Sequence, residues 1–473
     1  MPKETESCAE SITFVPMNYS KTQLGETICA LATPSGVGAI GVIRVSGPKA
    51  LEICNSCFKG ADLTQVAGHT LHFGKILDGT EWIDEVLAAV FVGPKSYTGE
   101  HTVELSGHGS PYILKRILEV LVKQGARMAQ PGEFTLRSFL NGKMDLTQAE
   151  AVADLIASQS SATHQSALQQ MRGGFSKQLS VLREKLVNFA SLIELELDFS
   201  EEDVEFASRK DLTALVQQLI VNLSVLIDSF AYGNAIKNGI PTVIAGKPNA
   251  GKSTLLNALL QDERALVSDI AGTTRDVIEE GFVIEGVLFR LIDTAGIREG
   301  SADIIENMGI EKTMERIQQA SIVLYVFDAA STSLESLQAE LQSFNNLQAV
   351  VVPVANKIDL LNNAPLFESI PGLVAISSKE KLGLAHLEKA LLEIVNKEQV
   401  KNDVLVTNLR HFEALTHARN ALQAVIQSME MGRSGELLAF DIRKALHHLG
   451  EITGEITTDD LLGNIFSKFC IGK

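Results

Sequence analysis

The chain has 473 residues, more than one hydrophobic core usually supports, so two to four domains are expected. Its hydrophobic share of 45% and charged share of 21% are those of a globular protein, and neither a membrane span nor a secretory signal is expected. A net charge of −17 argues against a protein that grips nucleic acid mainly through its own surface, and five scattered cysteines favour a cytoplasmic location over a disulfide framework.

The N-terminal part of the chain mixes short apolar runs with glycine-rich turns. Residues 1–24 are polar and irregular, and they are expected to form a flexible extension. The segment 25–142 is predicted to be a compact α+β domain. Within it, Ala39–Val45 and Val86–Val92 are predicted strands and Pro111–Val122 is a predicted helix.

Two stretches with helical periodicity flank a region of another kind. In residues 143–238, apolar side chains recur every three or four positions, first from Leu168 to Ile193 and then from Leu212 to Phe230. The first stripe is interrupted at Gly173-Gly174, which predicts a bend. The same periodicity returns in residues 400–473. We therefore predict one helical domain whose two parts are separated by an insertion.

The insertion, residues 239–399, alternates short apolar runs with helical segments. Such alternation is typical of a mostly parallel sheet that helices cover on both faces. The predicted fold class is therefore multidomain, with an N-terminal α+β domain and a helical domain split by an α/β domain. The predicted strands of the insertion are Thr242–Ala245, Val287–Ile292, Ile322–Phe327, Val350–Ala355 and Leu373–Ile376.

A phosphate-binding loop with the sequence Gly-Lys-Pro-Asn-Ala-Gly-Lys-Ser, residues 246–253, lies between the first of these strands and a helix. The glycines let backbone amides point at phosphates, and the helix presents its positive N-terminal end. Lys252 is expected to reach the β- and γ-phosphates and to assist catalysis, while Ser253 is expected to hold Mg²⁺. The predicted nucleotide contacts here are Asn249, Ala250, Gly251, Lys252, Ser253 and Thr254.

Three further motifs follow in the order found in switch GTPases. Asp293-Thr294-Ala295-Gly296 follows a predicted strand and is expected to face the magnesium ion and the γ-phosphate. In Asn356-Lys357-Ile358-Asp359 a carboxylate can accept two hydrogen bonds from N1 and N2 of guanine, which adenine does not offer. Ser377-Ser378-Lys379 supplies a loop that can close over the base. Together these motifs predict GTP as the nucleotide.

The segment between the phosphate-binding loop and Asp293 has the place of a switch loop. Its Thr274 is expected to bind Mg²⁺ in the GTP state. Ile297 stands where Ras-like proteins carry a water-positioning glutamine, so hydrolysis needs another group. Asn249 resembles the asparagine of GTPases that use K⁺, an ion that can neutralise charge as an arginine finger does. The predicted K⁺ ligands are Asn249, Ser268, Ile270 and Thr273, and Ser268, Thr273 and Thr274 are predicted switch contacts of GTP.

From about residue 26 to residue 473 the chain resembles the MnmE (TrmE) family of bacterial tRNA-modifying GTPases. The resemblance rests on the order of motifs as well as on each motif. The motif at the C-terminus is specific to the family, because nothing in GTPase chemistry requires it. The motifs outside the nucleotide site are Ala32–Gly36, Arg44–Gly47, Glu104–Gly109, Pro131–Phe134, Asn141–Lys143 and Cys470–Lys473.

The resemblance implies a reaction on tRNA. With an FAD-containing partner, MnmG (GidA), the family adds an aminomethyl or carboxymethylaminomethyl group to carbon 5 of the wobble uridine. The carbon comes from 5,10-methylene- or 5-formyl-tetrahydrofolate, and glycine or ammonium supplies the nitrogen. The resemblance also implies a homodimer formed through the N-terminal domain, and a heterotetramer or larger complex with MnmG.

The resemblance further implies particular site residues. A folate pocket near the dimer interface would contain Arg44, Glu104 and Lys143, with Lys473 reaching in from the tail, and Cys470 is a candidate catalytic residue. A glutamate after Asp293–Gly296 would orient the attacking water. When the family pattern is aligned at Gly309-Ile310-Glu311, this glutamate is Glu306, and Asp303 and Glu299 are alternatives.

Two other functions stay open on the sequence. One is a GTP-dependent RNA-binding switch such as a ribosome-assembly factor, which the nucleotide motifs alone do not exclude. The other is a folate-binding enzyme whose G domain is purely regulatory.

Overall fold

The computed structural model describes residues 25–198, 208–261, 265–266, 281–292, 320–344, 349–361, 370–397 and 405–472. These residues form two compact units. One contains the described parts of residues 1–150 and 454–473, and the other contains those of residues 151–453. Within these units the predicted fold class is confirmed, because an α+β sheet domain, a helical bundle and an α/β domain are all present.

The strands of the first unit are β1 (Ile28–Leu31), β2 (Ile40–Ser46), β3 (Phe58–Lys59), β4 (Thr70–Asp78), β5 (Glu81–Phe91), β6 (Thr102–His108) and β7 (Arg127–Met128). They form one sheet with the order β3-β4-β5-β6-β2-β1-β7. Its strand pairs are antiparallel, apart from β1 with β7, which is parallel. The two strands predicted from the sequence correspond to β2 and β5.

The helices of this part of the chain are α1 (Ala50–Cys57), α2 (Pro111–Lys123), α3 (Glu133–Leu140) and α4 (Leu146–Ala157). Helix α2, which the sequence predicted, begins at Pro111, where the missing N–H costs nothing. Ile53 of α1 and Leu121 of α2 are buried with Ile43 and Leu105 of the sheet. The alternation along β2 therefore directs Arg44 to the opposite face of the sheet from this core.

The helices of the second unit are α5 (Ser161–Met171), α6 (Gly174–Asp198), α7 (Arg209–Asp228), α8 (Phe230–Asn238), α9 (Lys252–Gln261), α10 (Leu334–Gln342), α11 (Leu384–Lys397), α12 (Leu409–Glu430) and α13 (Gly435–Thr453). The predicted bend is confirmed, since α5 ends at Met171 and α6 begins at Gly174. Helices α6, α7, α12 and α13 share one hydrophobic core. The second predicted stripe, Leu212 to Phe230, corresponds to α7 and the first residue of α8, and α8 continues to Asn238.

One stretch of the described chain, Arg209–Asn238, is long and apolar enough to cross a membrane, since it contains an 18-residue window with a mean hydropathy of 1.5. Its residues Leu212, Leu219 and Leu223 are buried in the bundle core. The same composition is expected for a core helix of a globular protein.

The strands of the second unit are β8 (Ile240–Ala245), β9 (Ala265–Leu266), β10 (Gly281–Ile284), β11 (Val287–Leu291), β12 (Ile322–Asp328), β13 (Val350–Asn356) and β14 (Val374–Ala375). Their order is β14-β13-β12-β8-β11-β10-β9. Strands β14 to β11 are parallel neighbours, and β11-β10-β9 are antiparallel. Separate hydrophobic clusters cover the two faces, as predicted.

The two chain connections between the helical bundle and the α/β domain lie next to each other. Ser229, between α7 and α8, accepts a hydrogen bond at 3.1 Å from the backbone N–H of Val406, which follows the insertion. Gln170 of α5 donates to the Thr407 hydroxyl at 2.9 Å. A Cβ added to Gly233 would lie 2.3 Å from the Val406 carbonyl oxygen, so this close approach requires glycine.

The C-terminal residues belong to the first unit, whereas the predicted boundary placed all of residues 400–473 in the helical domain. Helix α14 (Asp459–Phe466) packs against α3. Phe466 and Phe469 are buried, and a Cβ on Gly132 would lie 2.6 Å from the Phe466 carbonyl oxygen. The helical pattern alone could not show this, because an amphipathic helix does not specify which core receives its apolar face.

Candidate nucleotide site and docked C-terminal tail

The phosphate-binding loop connects β8 to α9, and its shape depends on glycine. Gly246 has φ +143°, and a Cβ there would lie 2.0 Å from the Val326 carbonyl oxygen. A Cβ on Gly251, with φ +95°, would lie 2.2 Å from the amide nitrogen of Asn356. Asn249 also adopts a left-handed conformation, with φ +61°. A side chain at Gly246 would therefore displace the backbone of β12, and one at Gly251 would displace the Asn356 side chain.

Lys252 folds back across this loop. Its Nζ donates to the carbonyl oxygens of Gly246 and Lys247, each at 2.8 Å. Burial lowers the pKa of Lys252 because the charged form loses solvation. Phosphate oxygens offered at the loop would be stronger acceptors for this ammonium group than the two carbonyls.

Asn356 connects the phosphate-binding loop to the predicted base-binding loop. Its amide nitrogen donates to the Ala250 carbonyl oxygen at 2.9 Å. Its amide oxygen accepts from the backbone N–H and the hydroxyl of Ser378, at 3.0 and 2.9 Å. Because Asn356 and Ser378 are both buried, this small network fixes three loops relative to one another.

Asp359 is oriented by Ser377, whose hydroxyl donates to one carboxylate oxygen at 2.5 Å. Asp359 is itself exposed to solvent. Lys357, with φ +65°, donates from Nζ to Asp328 at 2.8 Å. Burial alone would raise the pKa of Asp328, but its hydrogen bonds with Lys357 and the Ala330 backbone hold that pKa below its usual value.

Two contacts of this site were not found from the sequence. Asp328 ends β12, and the position of a carboxylate at the carboxyl end of a predicted parallel strand could have indicated it. Lys247 of the phosphate-binding loop forms an ion pair with Glu340 of α10, and the Tyr325 hydroxyl donates to the same carboxylate. This pairing depends on helix placement, which no motif specifies.

The rest of the predicted nucleotide site is only partly described. Ser253 and Thr254 stand in the first turn of α9, and the exposed Lys379 lies 3.8 Å from Glu380. The predicted residues outside the described chain are Ser268, Ile270, Thr273, Thr274, Asp293, Thr294, Ala295, Gly296, Ile297, Glu299, Asp303 and Glu306 in the nucleotide site, and Lys473 in the tail.

Arg44 stands at the centre of the second predicted site. It lies directly opposite Glu104 on the neighbouring strand, and its Nε and Nη2 are each 2.8 Å from the same Glu104 carboxylate oxygen. Its guanidinium carbon lies 5.2 Å from the ring centre of Tyr97 and 5.6 Å from that of Phe134. The two rings were not identified from the sequence, because isolated aromatic residues carry no local pattern.

Lys143 approaches the loop that carries Tyr97. Its Nζ donates to the Pro94 carbonyl oxygen at 3.1 Å. A Cβ on Gly99, with φ +82°, would lie 3.5 Å from the Lys143 side chain. Arg44 and Lys143 are thus linked through one loop, although they do not contact each other directly in the interactions described.

The C-terminal tail docks beside Arg44. The Gly472 carbonyl oxygen accepts from Arg44 Nη1 at 3.4 Å, and the Cys470 carbonyl oxygen accepts from the Gly132 N–H at 3.4 Å. Gly472 is buried with φ +100°, and a Cβ there would lie 2.3 Å from the Leu31 carbonyl oxygen. The Cys470 side chain is exposed.

A buried ion network supports the turn on which the tail rests. Arg137 and Glu133 of α3 are each 1% exposed and lie 2.9 Å apart. Glu133 also accepts from Arg127 at 2.7 Å, and Arg137 lies 3.1 Å from Glu100. Burial by itself would raise the pKa of Glu133, but the hydrogen bonds from Arg127 and the Gln130 N–H and the charge of Arg137 hold it below its usual value.

Comparison with known proteins gives consistent results. The family model described as GTP-binding protein TrmE N-terminus matches residues 27–143, and the model described as MnmE helical domain matches residues 146–470. A tRNA modification GTPase MnmE from Cytophaga hutchinsonii is 56% identical over 451 residues, covering 95% of this chain and 98% of the relative. Relatives of the same name from Christiangramia forsetii and Flavobacterium psychrophilum are 54% and 53% identical, each aligned with 95% of this chain and with 100% and 99% of their own lengths.

Proposed function

This chain belongs to the MnmE (TrmE) family, as its order of motifs predicted, and from that premise we propose that it is a GTP-hydrolysing enzyme of tRNA modification. The observation that carries the GTPase part is the Asn356 network, which joins the phosphate-binding loop to the guanine-binding motif. With an FAD-containing MnmG (GidA) partner, the enzyme adds an aminomethyl or carboxymethylaminomethyl group to carbon 5 of the wobble uridine. Its tRNA substrate places it in the cytoplasm.

For GTP hydrolysis, Lys252 exchanges the Gly246 and Lys247 carbonyls for the β- and γ-phosphates. The Ser253 hydroxyl in the first turn of α9 and Thr274 are the proposed Mg²⁺ ligands, because hydroxyl oxygens suit this hard cation. The ion, when bound, would neutralise charge developing on the phosphates. Glu306, with Asp303 and Glu299 as alternatives, is the proposed residue that orients the attacking water.

We predict that hydrolysis will be faster in K⁺ than in Na⁺ at equal ionic strength. Asn249 is exposed on the phosphate-binding loop, and its amide oxygen is the proposed ligand of a monovalent cation beside the phosphates. Steady-state turnover in matched chloride salts measures this, and Asn249→Ala should remove the difference. Equal rates in the two salts for the unmutated protein would contradict the K⁺ proposal.

The proposed tetrahydrofolate site surrounds Arg44. Arg44 and Lys143 provide positive charge for the carboxylates of the folate tail, and Glu104 can accept hydrogen bonds from the donor edge of the pterin. The docked position of Gly472 supports the proposal that Lys473 and Cys470 act at this pocket. The one-carbon donor is a 5,10-methylene- or 5-formyl-tetrahydrofolate.

An exposed apolar face supports the proposed homodimer. On the face of the sheet opposite the core, Phe73 of β4 lies directly across from Leu87 of β5, and their exposed fractions are 64% and 40%. Leu71 on β4 and Ile40 on β2 are also exposed. Clustered exposed apolar side chains mark surfaces that other proteins cover. A second copy of this chain is the proposed occupant, and the dimer joins MnmG in a heterotetramer or larger complex.

The function is tested by mass spectrometry of tRNA nucleosides from cells that lack this protein. We expect the modified wobble uridine to disappear and to return when the wild-type gene is supplied. Lys252→Ala should not restore it, because the nucleotide phosphates lose their principal cation. Unchanged wobble nucleosides accompanied by defective ribosome particles would instead favour the ribosome-assembly function.

A further inference from the structure

An acidic protein that acts on tRNA needs local positive charge. Within the second unit, a cleft of about 430 Å³ lies between the start of α7 and the turn that joins α12 to α13. Three cationic residues, Arg209, Lys210 and Arg433, line this cleft. Among the described residues that line it, Glu430 is the single carboxylate. The cleft therefore has a positive excess on a chain whose net charge is −17.

Arg209, which lines the cleft, is only partly hydrogen-bonded by the residues that the structure describes. Its Nη2 donates to Glu196 at 2.6 Å. Its Nη1 is buried and has no hydrogen-bond partner among the residues described. A buried guanidinium nitrogen without an acceptor is costly, because the donor has lost water and gained nothing in exchange. The side chain as a whole is 35% exposed and lines the cleft, so an anion there is attracted by the charge of Arg209 rather than bound at the buried Nη1.

The walls of the cleft hold the cations on ordered elements. Arg209 and Lys210 begin α7, where Ser208 accepts from the Asp211 N–H and the helix end adds partial positive charge. Arg433 follows Gly432, whose φ is +62°, and its own N–H donates to the Ser428 carbonyl oxygen at 2.9 Å. The turn that carries Arg433 is thus fixed by backbone contacts.

The floor of the cleft is apolar. It is formed by Ile426 and Met429 of α12 and Leu438 of α13, with the Thr213 hydroxyl at one side. Cations around an apolar floor match a nucleotide, which carries a phosphate beside an uncharged sugar and base. A free inorganic anion would gain nothing from this floor.

We infer that this cleft binds a phosphate of the tRNA backbone, with the adjoining sugar or base against Ile426, Met429 and Leu438. Resting on the proposed function, this site gives the acidic chain a direct contact with its substrate. Arg209, Lys210 and Arg433 supply the positive charge that attracts the phosphate. No chemical step takes place in the cleft.

The test measures equilibrium binding of fluorescent tRNA to full-length protein over a series of salt concentrations. We expect Lys210→Ala/Arg433→Ala to weaken binding about tenfold near physiological salt and to reduce the slope of log K against log salt by about one to two. This pair leaves the Arg209–Glu196 ion pair intact. Arg209→Ala is the second variant and should weaken binding to a similar degree. GTP hydrolysis should be unchanged in both variants, which confirms that the protein is folded.

The matched control is Arg443→Ala. Arg443 is another cation of α13, is about half exposed, and pairs with Glu194 at 3.0 Å outside the cleft lining. Because exposed ion pairs contribute little, tRNA affinity and salt slope should stay at the wild-type values in this variant. The control separates the cleft from a general loss of positive charge.

Unchanged tRNA affinity in both cleft variants would overturn the inference, whatever the nucleoside analysis shows. Unchanged tRNA affinity with weakened binding of the flavoprotein partner would overturn it too and assign the cleft to a protein. If the variants lose tRNA affinity but cells lacking the protein keep normal wobble nucleosides, the cleft stands as an RNA site and the proposed modification function fails.

Discussion

Deletion of Cys470–Lys473 is expected to abolish wobble-uridine modification while basal GTP hydrolysis stays within about twofold of wild type. The tail makes its described contacts inside the first unit. The Gly472 carbonyl accepts from Arg44, and the Cys470 carbonyl accepts from the Gly132 N–H. No described contact of the tail reaches the phosphate-binding loop or the guanine motif. A loss of wobble-uridine modification without a loss of GTP hydrolysis would therefore assign the tail to the proposed tetrahydrofolate site.

The physical reason for a large effect is the position of Arg44. It is held by Glu104, by two aromatic rings and by the tail. Deletion removes the Gly472 acceptor and opens the buried space beside β1. A misplacement of about 1 Å in a catalytic group can cost about a hundredfold in rate. Both activities should be measured on one preparation, by nucleoside mass spectrometry and by phosphate release.

Two substitutions make the deletion experiment more specific. Gly472→Ala keeps the length of the tail but brings a Cβ to 2.3 Å from the Leu31 carbonyl oxygen, so we expect it to reduce modification as the deletion does. Ile471→Ala is the control, because Ile471 is 56% exposed and should tolerate truncation. Full modification by the deleted protein would overturn the assignment. A parallel loss of GTP hydrolysis would point to misfolding.

Asp359→Asn is expected to change the preferred nucleotide from GTP to XTP. The carboxylate is positioned by Ser377 at 2.5 Å, so its geometry is set before the base arrives. Guanine donates from N1 and N2, and the asparagine amide complements xanthine, which carries a carbonyl at position 2. Hydrogen bonds to a charged group are each worth about 1.5–3 kcal/mol. Losing two of them corresponds to a decrease in GTP affinity of about a hundredfold or more.

The affinities can be measured by competition of GTP and XTP against a fluorescent guanine nucleotide. Lys389→Ala is a suitable control, because Lys389 is an exposed residue of α11 in the same domain, and among the described residues its ion pair is with Glu393, at 3.9 Å. Its affinities should remain those of the wild type. A variant Asp359→Asn that still prefers GTP would remove the assignment of the guanine-binding motif.

Much of the fold was predictable because the information is local. Strands β8, β11, β12, β13 and β14 are short apolar runs bounded by turns, and burial on both faces requires such runs. The break between α5 and α6 follows from Gly173-Gly174. The phosphate-binding loop needs glycine at Gly246 and Gly251, since a Cβ at either position would meet another strand or side chain. In each case neighbouring residues in the sequence specify the conformation.

The sequence by itself therefore determined the α/β domain, the positions of its predicted nucleotide motifs and the two-part helical domain. The family resemblance implied that the tail reaches the Arg44 pocket, but only the tertiary structure decided that α14 packs against α3, which rings flank Arg44, and how cations from α7 and the α12–α13 turn meet in one cleft. These arrangements join residues far apart in the chain, as Arg44 and Gly472 are. Periodicity shows which face of a helix is apolar, but the partner of that face is chosen by packing among whole elements.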